Sequence, residues 1–352
     1  MSHKTINTTG VEPNNAPARR VTINEIAAET NLSKATVSLV LRNSPSIPEA
    51  TKLRVLEAAQ RLGYVYNRGA ASLRGRQTNT VGIIVNDLTN PYFAEIVSSI
   101  QQRLTEIGQF SLLCNTGESL EIQSSFVEKL REYNVDGIVL SPAEGTHPEW
   151  LRELNATGIP LVLFSRYIDA GIDAVGADNT GGMRLAMEHL IELGHRRIAF
   201  VGANQRNSTG SDRLDGYIKA LAVARLQVDD ALMKYCPPTR EHGFRAVHEL
   251  MQISEPPTAI ACFNDVLAFG VMLGLRALNI KIGEQVSVIG FDNIAEADLW
   301  RPRLTTVDVP RHALAVETSK ILVQKIGKGD TGPTIRTLLK PELRIRETTG
   351  PA

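Results

Sequence analysis

Two groups of residues in this chain have types and spacings suited to chemistry. The first is Ser33-Lys34-Ala35-Thr36-Val37-Ser38-Leu39. At helical spacing its hydroxyl, small and basic residues share an outward stripe. Hydroxyls and an ammonium bond to base edges and phosphates, and small residues let a helix approach closely, which is what entry into a DNA major groove needs. The second group follows short apolar runs: Asn86-Asp87, Ser165-Arg166, Asn264-Asp265 and Asp292-Asn293. Amide, carboxylate and guanidinium groups there offer donors and acceptors to a small polar ligand. Each Asn or Asp reads equally as a helix cap or turn residue, and Asp265 reads first as a cap.

The elements around the first stripe are short helices. Thr22 caps a helix over 22–30, with Glu25 at the reciprocal capping-box position. Asn31 and Leu32 form a tight turn, and Ser33 caps the second helix. Ile23, Ile26, Ala27, Leu32, Val37, Val40 and Leu41 fall on the faces that two crossing helices bury. A third helix starts near Pro48, carries Leu53, Leu56, Ala59 and Leu62 at helical spacing, and ends at Gly63. The segment that follows, up to Arg76, is small and basic and has too little apolar surface to hold a helix alone. The competing reading of the helical pair is a plain cap on a larger domain.

From Thr80 onward strands and helices alternate. Apolar runs at 81–85, 110–114, 137–140 and 161–164 are separated by helical stretches at 92–107, 123–132 and near Glu149. After Asp178-Asn179 a second series begins, with a helix over 180–193, a strand over 197–201, a helix from Ser211, and strands at 259–262 and 286–289. This pattern predicts two doubly wound parallel sheets. Open parallel sheets bind ligands at the carboxyl ends of their strands, which is where the second polar group lies.

The chain has 352 residues, 43% of them hydrophobic, enough for one small and one larger domain. Its zero net charge hides an asymmetry: residues 1–78 hold 11 Lys+Arg against 5 Asp+Glu, and the rest hold 27 against 33. A basic end of +6 on a body of −6 suits contact with phosphates at one end. Residues 1–20 read as a disordered polar tail, without the apolar core of a secretory signal. No apolar run reaches membrane-spanning length, so a cytoplasmic, nucleoid-associated location is expected. Cys114, Cys236 and Cys262 are too dispersed for a disulfide frame or a zinc site, and no metal or cofactor is expected. There is no P-loop, no G-x-S-x-G elbow and no metal-spaced His pair. His189 and His195 flank a helix end and read as surface or C-terminal-turn histidines. Catalysis is therefore not expected. A solute-binding protein would share the body but not the helical start.

Taken together, Thr22-Ile23-Asn24-Glu25-Ile26-Ala27, Ser33 to Ser38, Leu62-Gly63-Tyr64, Ala70 to Gly75, Val81 to Glu95, Gly290-Phe291-Asp292-Asn293 and Leu304-Thr305-Thr306-Val307 occur in a characteristic order. From Val21 onward the chain resembles the lactose-repressor/galactose-repressor (LacI/GalR) family of bacterial transcription regulators. The resemblance implies a helix-turn-helix domain over 21–66, a hinge helix over 67–78, and a periplasmic-binding-protein-like effector-binding and dimerisation domain over 79–352. Its two subdomains would be 79–178 with 309–336 and 179–308 with 337–352.

That family implies a homodimer, or a tetramer, that reads a near-palindromic operator and acts as a repressor controlled by a metabolite, a sugar or sugar derivative. A corepressor-activated regulator responding to a nucleobase or protein coeffector is the alternative. Thr22, Ser33, Lys34, Ala35, Thr36, Ser38, Leu39 and Arg42 would contact DNA. In the hinge, Leu73 would wedge into the minor groove, Ala70 would let two hinge helices pack, and Asn67 and Arg68 would reach phosphates. Arg213, Asn264 and Asp292 match effector-holding positions, as do Asn207 and Thr209 in a polar loop. Tyr92 and Phe93 match aromatic positions on the opposite wall, beside Asn86, Ser165 and Arg166.

Two departures from the family pattern stand out. Leu39 occupies a position where Arg is common, which predicts contact with a thymine methyl in place of a guanine. Ser165 replaces the usual aspartate before Arg166. Unless Arg166 pairs with a neighbouring acid, that wall becomes positive and favours an anionic effector.

Overall fold

The computed structural model describes residues 21–41, 44–65, 77–202, 206–328 and 332–352. The chain divides into two units, residues 1–76 and 77–352. The polar tail over 1–20, Arg42, and the expected hinge residues Asn67, Arg68, Ala70 and Leu73 lie outside the described residues.

In the first unit, α1 (Ile23–Thr30), α2 (Lys34–Leu41) and α3 (Glu49–Leu62) pack on one another. The Glu25 carboxylate accepts from the Thr22 N–H at 2.6 Å and from its hydroxyl at 2.9 Å, so the start of α1 is fixed as its spacing predicts. Asn31, at φ 49°, ends α1 in the left-handed region, and the Leu32 N–H bonds back to Ala27. Ile26, Ala27, Val37, Val40, Val55, Ala58 and Ala59 form the core, with Ile23, Leu32, Leu41 and Leu62 packed at its edge. Leu53 and Leu56 do not join it and are exposed. The stripe of α3 that faces α1 and α2 runs Val55, Ala58, Ala59, Leu62. Leu53 and Leu56 lie about 100° or more around the helix from Val55.

The second unit is built on two six-stranded sheets. The first contains β1 (Thr80–Val85), β2 (Phe110–Asn115), β3 (Gly137–Leu140), β4 (Leu161–Phe164), β5 (Asp173–Ala177) and β11 (Arg336–Leu339), in the order β11-β5-β4-β3-β1-β2. The second contains β6 (Ile198–Val201), β7 (Met233–Lys234), β8 (Ala259–Cys262), β9 (Ser287–Asp292), β10 (Thr305–Asp308) and β12 (Glu342–Arg344), in the order β12-β10-β9-β8-β6-β7. Among the described residues every strand pairing is parallel except β10 with β12. The intervening helices are α4 (Pro91–Glu106), α5 (Leu120–Glu132), α6 (Pro148–Ala156), α7 (Asn179–Glu192), α8 (Ser208–Val223), α9 (Arg240–Leu250), α10 (Asp265–Ala277), α11 (Glu296–Leu299) and α12 (Arg311–Lys328).

The chain passes between the sheets after β5, after β10 and after β11. Because β11 completes the first sheet through Leu339, the return expected after residue 336 comes three residues later. Strands β1, β3, β4, β6, β8 and β9 are buried almost throughout, which is why they read as continuous apolar runs. A Cβ on Gly270 would overlap the Arg240 carbonyl, so its absence lets α10 cross tightly against α9.

Several local readings are corrected. Helix α8 begins at Ser208, three residues before Ser211, because the Asn207 side chain caps it through the Gly210 N–H at 2.9 Å. Asn264, not Asp265, caps α10, accepting from the Leu267 N–H at 2.9 Å. His195 is not a surface residue. Its buried ring bonds to Thr258 Oγ1 at 2.8 Å, Ser287 Oγ at 3.0 Å and the Gly350 carbonyl at 3.0 Å. It ties the ends of β8 and β9 to the last turn of chain. His189, half-buried, bonds Thr349 Oγ1 at 2.9 Å. All three cysteines are free, and only Cys262 is fully buried. Among the described residues no His, Cys, Asp and Glu group has the makings of a metal site, and no helix is long and apolar enough to cross a membrane.

Candidate functional site

The first candidate surface is the outer face of α2. Lys34 and Ala35 are exposed, and Thr36, Ser38 and Leu39 are half-buried, while Val37 and Val40 point into the core. Ser33 Oγ accepts from the Thr36 N–H at 3.1 Å and bonds the Thr36 hydroxyl at 2.9 Å. The cap therefore fixes two side chains at the end of α2. Thr22 is exposed, but its hydroxyl already donates to Glu25.

The second candidate is a cavity of about 220 Å³ at the carboxyl ends of the strands of both sheets. Nine of the ten expected effector residues line it: Asn86, Tyr92, Phe93, Ser165, Arg166, Thr209, Arg213, Asn264 and Asp292. Asn207 does not. It faces neighbouring hollows with Arg206, because its side chain is turned to cap α8.

On the first-sheet side, Arg166 follows β4 and is buried. Both its terminal nitrogens donate to the Glu118 carboxylate, at 2.9 and 2.7 Å, and one also reaches the Pro142 carbonyl at 3.0 Å. Glu118 further accepts from Asn86 Nδ2 at 2.9 Å and from the Glu144 N–H at 2.7 Å. Burial raises the Glu118 carboxyl, but the bonds from Arg166, Asn86 and the Glu144 N–H outweigh it and hold the acid below its usual range. The wall expected to be positive is therefore compensated: a carboxylate 48 residues upstream replaces the aspartate missing at Ser165. The Ser165 hydroxyl bonds Tyr92 Oη at 3.3 Å. Burial, and then the nearby Asp292, push the Tyr92 phenol up to about 12. Phe93 packs edge-on against Tyr92 and Phe164.

On the second-sheet side, Arg213 comes from α8 and Asp292 from the end of β9. Their side chains are each only 4% exposed and meet at 3.0 Å. Arg213 also donates to Asn179 Oδ1 at 2.9 Å and to the Phe263 carbonyl. Its guanidinium lies over the Phe291 and Phe263 rings, at 3.7 and 4.6 Å from their centroids. These contacts fix it in one orientation. Burial pushes the Asp292 carboxyl up, against the pull of Arg213. Behind this pair lies Asp265, fully buried, accepting from the Thr306 hydroxyl at 2.5 Å and the Ile294 N–H at 2.9 Å. Burial first and the nearby Asp292 second push its carboxyl to about 8, against the bonds from Thr306 and Ile294 and the more distant Arg311.

Backbone conformation marks the same place. Among the described residues other than Gly and Asn, four have positive φ: Glu118 (66°), Ser165 (63°), Arg225 (57°) and Asp292 (110°). Three of the four line the cavity. Such conformations persist where surrounding structure holds them, and they gather at functional sites. Sequence reading missed Glu118, Asn90, Pro238, Thr239 and Phe263 as lining residues. The Gly117-Glu118 turn was the one available signal, and it reads as an ordinary turn.

Contacts also join the two sides. Tyr167, after β4, donates its hydroxyl to both Asp212 oxygens at 2.7 and 2.9 Å and its N–H to Ser208 Oγ at 3.0 Å. Arg311, at the start of α12, binds Glu95 Oε2 at 2.8 Å and the Asp292 carbonyl.

Comparison with known proteins agrees with this arrangement. Residues 22–67 match the bacterial regulatory proteins of the lacI family, and residues 78–342 match the periplasmic binding proteins and sugar-binding domain of the LacI family. The chain is 33% identical to the HTH-type transcriptional repressor PurR of Vibrio atlanticus (strain LGP32), over 93% of this chain and 98% of that protein. It is similar to the structure of a transcriptional regulator CelR–cellobiose complex, at 30% identity and a TM-score of 0.71, covering 94% of this chain and all of that one. The lac repressor dimer bound to operator and the anti-inducer ONPF has the same fold, with a TM-score of 0.84 at 24% identity over 94% of this chain and all of that one. A helix-turn-helix unit and a unit of two parallel sheets around a cavity define the class of HTH-type transcriptional regulators. The chain belongs to the LacI family of bacterial regulatory proteins.

Proposed function

We propose that the protein is a homodimeric repressor that binds a near-palindromic operator and releases it when a small metabolite, a sugar or sugar derivative, enters the cavity of the second unit. It binds this ligand without turning it over. Lys34, Ala35, Ser38 and Leu39 read the major groove, and Arg42 and the hinge residues Asn67, Arg68, Ala70 and Leu73 complete the contact. Two half-sites follow from two-fold symmetry.

One observation carries the ligand assignment. The cavity is walled on both sides by guanidinium–carboxylate pairs whose remaining N–H and oxygen positions offer donors next to acceptors. Such alternation suits the hydroxyls of a polyol or sugar. The similarity to a regulator in complex with cellobiose supports a saccharide. A ligand that contacts both walls acts on the equilibrium between cleft arrangements through its differential affinity for them. The contacts of Tyr167 and Arg311 join the two sides and move with that equilibrium.

The test pairs operator binding with thermal unfolding across neutral sugars, sugar acids, sugar phosphates and nucleobases. A ligand at 100 times its Kd adds about 2.7 kcal/mol to the unit that binds it. A hit that weakens operator binding supports induction. A hit that tightens it supports the corepressor alternative. Catalytic consumption of the hit overturns the binding-only reading. Leu39→Arg should change operator preference at one base pair, with a discrimination of about 1–3 kcal/mol. An unchanged preference removes Leu39 from the reading face.

A further inference from the structure

The charge of the cavity turns on Glu118. It is the residue whose carboxylate meets both terminal nitrogens of Arg166, at 2.7 and 2.9 Å, while lining the cavity itself. Its backbone stands in the left-handed region at φ 66°, next to Gly117 at φ 56°, which turns the side chain toward the cleft. Asn86 and the Glu144 N–H hold the same carboxylate from other sides. The Asn86 amide is in turn held by the Ser141 hydroxyl at 2.9 Å. The other cavity arginine, Arg213, is matched by Asp292. Asp87 adds a further acid to the lining. Among the described residues, the cavity thus holds two cations against three carboxylates, and both cations are already engaged.

We infer that Glu118 is the charge-selectivity residue of this cleft: by neutralising Arg166 it restricts the effector to uncharged saccharides and excludes sugar acids and sugar phosphates. This deepens the effector reading and rests on it. An anion entering the cavity meets no unmatched guanidinium, and it must approach Asp87, Glu118 and Asp292 in a partly water-excluded space. A neutral sugar meets the remaining Arg N–H groups as donors and the carboxylate oxygens as acceptors, without that repulsion. The chain lacks the aspartate that the family pattern places before Arg166, and Glu118 restores the charge from a different strand end. Reading Ser165 alone leads to the opposite ligand.

The experiment titrates the full-length protein and its Glu118→Gln and Glu118→Asp variants with inorganic sulfate, glucose, glucuronate and glucose 6-phosphate at constant ionic strength, by calorimetry. Wild type should give no saturable sulfate signal and should bind neither anionic sugar more tightly than glucose. Glu118→Gln, which keeps the side-chain size and removes the charge, should gain sulfate binding. It should also shift the anion-to-neutral affinity ratio at least tenfold, about 1.4 kcal/mol, toward the anion. Glu118→Asp should behave as wild type; a purely structural Glu118 would instead weaken all ligands alike in both variants. Wild type binding an anionic member more tightly, or Glu118→Gln gaining nothing, overturns the inference. If Glu118→Gln does not fold, the double variant Glu118→Gln/Arg166→Met replaces it. With both charges gone it should keep the wild-type order of ligands, and a new preference for anions overturns the inference. If no sugar binds wild type, the effector reading fails on that panel, and the sulfate arm still decides the role of Glu118.

Discussion

The two walls of the cavity use the same chemical pair in different settings. On one wall Glu118 is about one-third exposed and meets an Arg166 that is 10% exposed. On the other, Arg213 and Asp292 are each 4% exposed, and the guanidinium lies against two aromatic rings. Desolvation penalises a charge steeply with burial, so a buried pair holds together only as a pair. Where one member reaches solvent, as Glu118 does, water replaces part of what its removal takes away. The difference assigns them separate work. Arg213–Asp292 fixes the end of β9 and presents a guanidinium held in one orientation, whereas Glu118–Arg166 sets the local charge at a smaller cost to stability.

The largest effect should follow from breaking the buried pair. Asp292→Ala leaves Arg213 uncompensated and should destabilise the second unit by about 3–5 kcal/mol in denaturant unfolding. Replacing both partners together, Arg213→Met with Asp292→Leu, should cost clearly less. A single substitution costing below about 1 kcal/mol would erase the contrast between the walls.

Asp265 sharpens the same contrast from behind the second wall. Its carboxyl stands at about 8 in the folded protein, raised by burial first and Asp292 second, against about 3.9 in an unfolded chain. A raised folded-state value means the folded form binds the proton more tightly. The resulting stability is fully present below pH about 4 and is lost as pH rises toward 8. Asp265→Asn removes that dependence. It should leave unfolding near pH 5 little changed and, at about 1.4 kcal/mol per pH unit from pH 5 to 8, stabilise the protein at pH 8 to 9 by on the order of 4 kcal/mol. Parallel pH–stability curves for the two proteins would show that Asp265 is ionised throughout and that the second wall tolerates two carboxylates.

How much of this was legible in the sequence follows from the distance over which each feature is encoded. The α1–α2 pair is written within twenty residues: Thr22 with Glu25, Asn31 at the turn, Ser33 with Thr36. The same holds for the apolar runs that became β1, β3, β4, β8 and β9. Strand β5 escaped because it begins with Asp173 and contains Gly176. What holds it is Asp173, paired with Lys325 at 3.0 Å and accepting from the Ile335 N–H at 2.6 Å, contacts more than 150 residues away. Glu118 escaped for the same reason, since nothing near it in the chain announces Arg166. Asp265 and His195 looked like ordinary cap and surface residues, and their burial is decided by β10 and by the last residues of the chain. The cleft residues on strand ends could be grouped from topology alone, but which acid met which base could not.

The first wall offers a weaker break. Glu118→Ala removes four accepted hydrogen bonds and leaves a mostly buried Arg166 without its acid, but Glu118 is itself about one-third exposed and water can take its place, so the stability loss should be about 1–2 kcal/mol. That lies well below the loss for Asp292→Ala in the same assay. A loss matching that of Asp292→Ala would mean that Arg166 is as dependent on its partner as Arg213, and the division of labour between walls would fail.

The smallest effect should come from Tyr92→Phe. The substitution deletes one hydrogen bond, to the Ser165 hydroxyl at 3.3 Å, and keeps the ring in its packing against Phe93. A net bond of that kind contributes about 0.5–1.5 kcal/mol, and its length places it at the lower end. The informative reading is the ratio of two losses, one in unfolding stability and one in effector affinity. If stability falls and affinity does not, the Tyr92 hydroxyl only braces Ser165 in its positive-φ conformation. If affinity falls further than stability, the hydroxyl reaches the ligand. The first wall would then contribute a directional contact as well as a charge setting, which would bring it closer in kind to the second.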